Sequence, residues 1–83
     1  MNKSDIEKTL VNIIKNYTNS KAEDIHCLTS LREEIGLSSF DMISMGVEIE
    51  SSFSINIDNI NILAEIDTIG DVVDLISEKI AKQ

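Results

Sequence analysis

Several side chains in this 83-residue chain are of types that do chemistry. His26 and Cys27 are adjacent and offer an imidazole beside a thiol. A nucleophilic thiol needs a base in reach, a third group to orient that base, and donors for an oxyanion. Neighbours in sequence rarely face each other, and no third partner stands out. One His and one Cys are also too few for a structural zinc site. Asp58-Asn59-Ile60-Asn61 looks faintly like a calcium loop, but the ligand and glycine spacing fails. Asp67, Asp71 and Asp74 share one side of a helical pattern and read as a solvated face. There is no glycine-rich phosphate loop. The remaining group is Ser38-Ser39-Phe40-Asp41, where two hydroxyls stand at the head of a helical pattern. Serine is common at helix starts for capping alone, and the capping pattern taken by itself favours that plain role for Ser39.

Three helices must position these groups, and each has a start signal. Ser4-Asp5-Ile6-Glu7 has the form of a capping box with Ser4 as cap, followed by Ile6, Leu10, Ile13, Ile14 and Tyr17 at helical spacing. Ser38 to Asp41 repeats the form with a shorter acid. Thr68-Ile69-Gly70-Asp71 repeats it again, ahead of Val72, Val73, Ile76 and Ile80 on one face. Between the first two helices lies a long connection, opened by Asn19-Ser20-Lys21 and closed by Gly36. Loops of that length are uncommon and often functional. Ile25, Leu28, Leu31 and Ile35 are expected to pin it to the core, with a turn of helix near Ser30 to Glu34. A short fourth helix, capped by Asp58 or Asn59, places Ile60, Leu63 and Ala64 inward. The expected fold is all-α: a small four-helix bundle, three helices long and one short, with a long loop after the first.

The central helix, from about Ser39 to Phe53, is unusually apolar. Advancing about 100° per residue puts Met42, Met45, Gly46, Ile49 and Phe53 on one side. Phe40, Ile43 and Val47 lie beside them, and Asp41, Ser44, Glu48, Ser51 and Ser52 form the polar remainder. A helix this apolar is expected to be packed on two or more sides, or to line a cavity with part of its face. Gly46 costs roughly 1 kcal/mol relative to Ala in a helix interior, so it either admits close packing or leaves room.

Composition narrows the partners. Net charge is −8 and the pI is about 4.3. No Lys or Arg lies between Arg32 and Lys79, whereas eleven acids run from Glu33 to Glu78. This argues against nucleic acid and anionic membranes as partners and favours proteins with basic patches. Isoleucine fills 15 positions, aromatics are only 4% and proline is absent, which together point to an aliphatic helical core. A single cysteine excludes an internal disulfide. No apolar signal core or membrane span is present, and a reducing cytoplasm is the expected location. Without a secretion signal, the acceptor pattern Asn16-Tyr17-Thr18 carries no meaning.

Gly36-Leu37-Ser38-Ser39-Phe40-Asp41 resembles the acyl carrier protein signature Gly-Leu-Asp-Ser-Leu-Asp. The segment from Met42 to Ile57 resembles that family's second helix, with its closing Glu-x-x-Phe and Ile pattern. The resemblance extends over essentially the whole chain, read as one domain over 1–83. It implies that Ser39 bears 4′-phosphopantetheine, delivered from coenzyme A by a phosphopantetheinyl transferase, and that the protein itself catalyses nothing. The arm would hold acyl or aminoacyl groups as thioesters for loading and processing enzymes. A phosphodiester at a helix N-terminus meets unpaired N–H groups and the positive end of the dipole, which suits such an attachment. The resemblance assigns Phe40, Asp41, Glu48 and Glu50 to the partner-docking surface, although Glu50 lies off the Asp41/Glu48 stripe. It also implies a monomer.

Departures from the family pattern are informative. Ser38 replaces an Asp that the transferase reads, and Phe40 replaces a Leu. Ser44 and Ser51 stand where many members carry acids. These changes imply a specialised carrier in a fatty-acid, polyketide or related pathway. Two other readings stay open: an aminoacyl or peptidyl carrier of a nonribosomal or D-alanine transfer system, and an unmodified acidic bundle that binds a basic protein.

Overall fold

The computed structural model describes residues 2–18, 25–59, 62–63 and 65–82. Among these residues there are three α-helices: α1 (Lys3–Ile14), α2 (Ser39–Phe53) and α3 (Ile69–Ala81). No strand occurs among the described residues, only an isolated antiparallel bridge between Ser30 and Thr68. The expected fourth helix is not found among them. Ile62 and Leu63 form a 3₁₀ turn, in which Ile62 N–H bonds to the Asn59 carbonyl. Leu63 is buried as expected. Ile60, Ala64 and the loop opening at Asn19-Ser20-Lys21 lie outside the described residues.

Cap chemistry sets the helix starts. Ser38 caps α2 through a full capping box: Asp41 N–H donates to its Oγ and its own N–H donates to the Asp41 carboxylate, both at 3.1 Å. Thr68 Oγ1 accepts from Asp71 N–H at the start of α3. The cap of α1 is Asn2, not Ser4: Asn2 Oδ1 accepts from Asp5 N–H at 2.8 Å. Asn and Ser are comparable caps, so the earlier residue wins by adding two residues to the helix. At the other end, α2 stops at Ser54, which adopts the left-handed conformation (φ 54°, ψ 45°).

The core is aliphatic, as composition required. Ile6, Leu10, Val11, Ile13 and Ile14 from α1 meet Met42, Met45, Ile49 and Phe53 from α2 and Ile69, Val72, Val73 and Ile76 from α3. Helix α1 packs on both other helices. Gly46 is buried on the inner face of α2. The residues beside that inner face are covered less completely. Phe40 is 77% exposed and Val47 58% exposed. Helix α2 buries Met42, Met45, Gly46, Ile49 and Phe53 and leaves Phe40 and Val47 in solvent.

The loop between α1 and α2 is fastened at both the core and the start of α3. Ile25, Leu31 and Leu37 are buried and Ile35 packs against the core. Leu28 does not pin the loop: it is 76% exposed. It sits in a tight turn in which Thr29 N–H bonds to the His26 carbonyl and Leu28 N–H to His26 Nδ1. A helical turn at 30–34 is present, with Glu34 N–H bonded to the Ser30 carbonyl. The clasp to α3 consists of Leu31 N–H to the Asp67 carbonyl, Ile69 N–H to the Thr29 carbonyl, Gly70 N–H to the Cys27 carbonyl, and Ser30 Oγ to Asp67 Oδ1.

Gly70 shows how tight this clasp is. A Cβ built there would stand 3.0 Å from the Cys27 carbonyl oxygen, the acceptor of its own N–H. Gly→Ala within a helix ordinarily stabilises by roughly 0.5–1 kcal/mol. Here the sign should reverse: Gly70→Ala is expected to destabilise by about 1 kcal/mol, because backbone must move to admit the methyl. A thermal melt beside wild type checks the sign.

Candidate functional site

The approach to Ser39 is built residue by residue. Gly36 has φ +86°, a conformation that L side chains rarely adopt, and it turns the chain out of the loop. Leu37 is buried and its N–H bonds to the Leu31 carbonyl. Leu37 and Met42 occupy the two positions of a hydrophobic staple around the cap, and both are buried. Ser38 is the cap, so Ser39 is the first residue inside the helix. Its side chain is exposed. The capping work that could have claimed Ser39 is done by Ser38, which leaves the Ser39 hydroxyl accessible at a helix N-terminus. The first-turn amides there have no intrahelical acceptor.

The other residues assigned to the surface fall in different settings. Phe40 projects into solvent beside Ser39. Asp41 is half-buried and committed to the capping box. Glu48 is half-buried and accepts a 2.9 Å hydrogen bond from the Tyr17 hydroxyl. Tyr17 lies just beyond the end of α1, with its ring against the core. Partial burial holds its phenol above the ordinary pKa, and the hydrogen bond to Glu48 and the charges of Glu48 and Asp41 push the same way. Glu50 has a structural partner: its Oε2 accepts from Ile57 N–H at 2.8 Å, closing the turn after α2. Asp41 and Glu48 thus share a polar stripe with Ser44, while Glu50 is drawn to the far end of the helix. Glu50→Ala is expected to cost about 1–3 kcal/mol by stranding that amide, which urea unfolding can measure.

Sequence reasoning placed Tyr17 in the core stripe of α1 and missed its hydroxyl as a donor to α2. No local signal announces a pair separated by 31 positions. The other groups with chemical potential are dispersed. Cys27 is exposed, and His26 Nδ1 accepts from Leu28 N–H within its own turn. Asp58 pairs with Lys79, Asp74 with Lys3, and Asp67 with Ser30. No cluster of His, Cys, Asp or Glu that could hold a metal occurs among the described residues. No helix among them is long and apolar enough to cross a membrane.

The described residues thus form a small acidic helical domain with an exposed serine at the head of its second helix. A protein-family model described as "Phosphopantetheine attachment site" matches residues 8–76, and the chain belongs to that family. Its domains carry a covalently attached 4′-phosphopantetheine and act as carriers, served by a phosphopantetheinyl transferase and biosynthetic enzymes. No curated protein matches the chain. The residues at the start of α2 fit the group: a hydroxyl free of capping duty, and first-turn amides at the positive end of the helix dipole.

Proposed function

We propose that this protein is a carrier whose arm is attached to Ser39 Oγ, and that it serves a specialised acyl-transfer pathway. The observation that carries the reading is the division of labour at the start of α2. Ser38 does the capping, and Ser39 is exposed with nothing else to do. When bound, the arm supplies a terminal thiol that holds an acyl or aminoacyl group as a thioester. Ser39 anchors it, the helix N-terminus favours the phosphodiester charge, and the capping box keeps the first turn formed while partners come and go.

Phe40, Asp41 and Glu48 form the docking surface in this reading, next to Ser39 and along one stripe. Glu50 contributes charge from further along α2 while its carboxylate closes the turn at Ile57. Partners are a phosphopantetheinyl transferase and loading or processing enzymes with basic patches. The acids of α2 are few, which favours weak encounters, and their partial exposure to solvent makes them screenable by salt. The exposed Phe40 adds an apolar anchor unlike the smaller leucine of the family pattern, in keeping with a dedicated partner set.

The test is the intact mass of the protein after incubation with coenzyme A and a broad-specificity phosphopantetheinyl transferase. A gain of one phosphopantetheine group supports the reading. No gain with any transferase would return the protein to the role of an unmodified acidic bundle.

A further inference from the structure

We infer that Tyr17 is a positioning residue for partner docking: it holds the Glu48 carboxylate in place to receive a lysine or arginine of the partner. This rests on the carrier reading above and adds a residue outside α2 to it. Each acid of α2 has an internal partner, but the partners differ in kind. Asp41 serves a cap amide and Glu50 serves the Ile57 amide, both backbone groups close in sequence. Glu48 is held by a side chain from elsewhere, the Tyr17 hydroxyl at 2.9 Å.

A free glutamate pays rotamer entropy whenever it is fixed by a partner. Tyr17 pays that cost in advance, because its ring is packed against the core and its hydroxyl points at α2. A carboxylate offers about four acceptor sites, and one phenol donor occupies only one of them. The others remain for a cation. Prepayment of this kind raises affinity without a new contact. It also leaves the charge of Glu48 intact, so the effect of Tyr17 is separable from the effect of the charge.

The test is steady-state loading by a phosphopantetheinyl transferase with the carrier as the varied substrate. Tyr17→Phe keeps the ring and removes the donor. It is expected to raise the KM for the carrier about three- to tenfold, the range for immobilising one side chain on binding, with kcat within about twofold of wild type. The slope of log KM against log salt stays at the wild-type value. Glu48→Gln raises KM and flattens that slope, since it removes the charge. In the Glu48→Gln background, Tyr17→Phe adds nothing further. Glu48→Asp keeps the charge but draws the carboxylate one methylene back, and it should raise KM as Tyr17→Phe does. Circular dichroism melts confirm that all variants are folded. A wild-type KM in Tyr17→Phe, or an equal rise with and without Glu48, overturns the assignment and leaves Tyr17 with packing alone. Failure of the carrier reading looks different: no variant, nor wild type, is loaded at all.

Discussion

Ser39→Ala is expected to abolish arm attachment entirely while leaving the thermal midpoint nearly unchanged. The side chain is exposed and makes no cap, so its removal should fall within about 0.5 kcal/mol, as for most surface substitutions. Ser38→Ala should show the opposite pattern. It removes the acceptor of Asp41 N–H and breaks the capping box, which costs about 1 kcal/mol. In a domain of this size that corresponds to a fall of roughly 4–8 °C in midpoint. Loading at Ser39 continues. Mass spectrometry of the two variants beside melting curves separates the hydroxyls cleanly. Loading that survives in Ser39→Ala and vanishes in Ser38→Ala would move the attachment to the cap, and the proposed site would be wrong.

Leu10→Ala carries the largest expected effect on stability. Leu10 is fully buried in α1, the helix on which both others pack. Truncation of a buried leucine costs about 2–5 kcal/mol, from lost transfer free energy and the cavity left behind. At about 0.05–0.15 kcal/mol per residue, an 83-residue domain has a total of only about 4–12 kcal/mol. The variant should therefore lose a large part of its margin. Urea titration followed by helical circular dichroism should show a much lower midpoint, and a sloping transition if the fold is nearly exhausted. Phe40→Ala is the informative contrast. Its ring is in solvent, so stability should hold within about 0.5 kcal/mol. A large loss there would mean that Phe40 packs on the domain after all.

The contrast between Leu10 and Phe40 could not have been ranked without both sources of information. Leu10 stands on a sequence stripe with Ile6, Ile13 and Ile14, and all four are buried. Phe40 stands on a stripe just as apolar, next to Met42 and Ile49, and it is exposed. The pattern says which residues share a face. How many neighbours exist to cover that face is a property of the assembled helices. The same limit explains Leu28, which reads as a loop anchor but is carried outward by the turn at His26. Around residues 58–64 the local pattern is weak, and among the described residues it yields a 3₁₀ turn at Ile62 and Leu63.

By itself, the sequence determined the helical class, the bounds of α2, the caps at Ser38 and Thr68, and the aliphatic faces of all three helices. Those features depend on contacts within a few residues: a side-chain oxygen meeting an amide three positions on, or apolar groups returning every turn. It also pointed to Ser39, through a short motif at a helix start. The tertiary structure decided the rest. It turned Phe40 and Val47 outward and clasped the loop to α3 through Ser30 and Asp67. It drew the Glu50 carboxylate to the Ile57 amide. It brought the Tyr17 hydroxyl to Glu48 across 31 positions of chain. Such pairings depend on where whole helices come to rest, and only the balance of burial over the entire domain determines that.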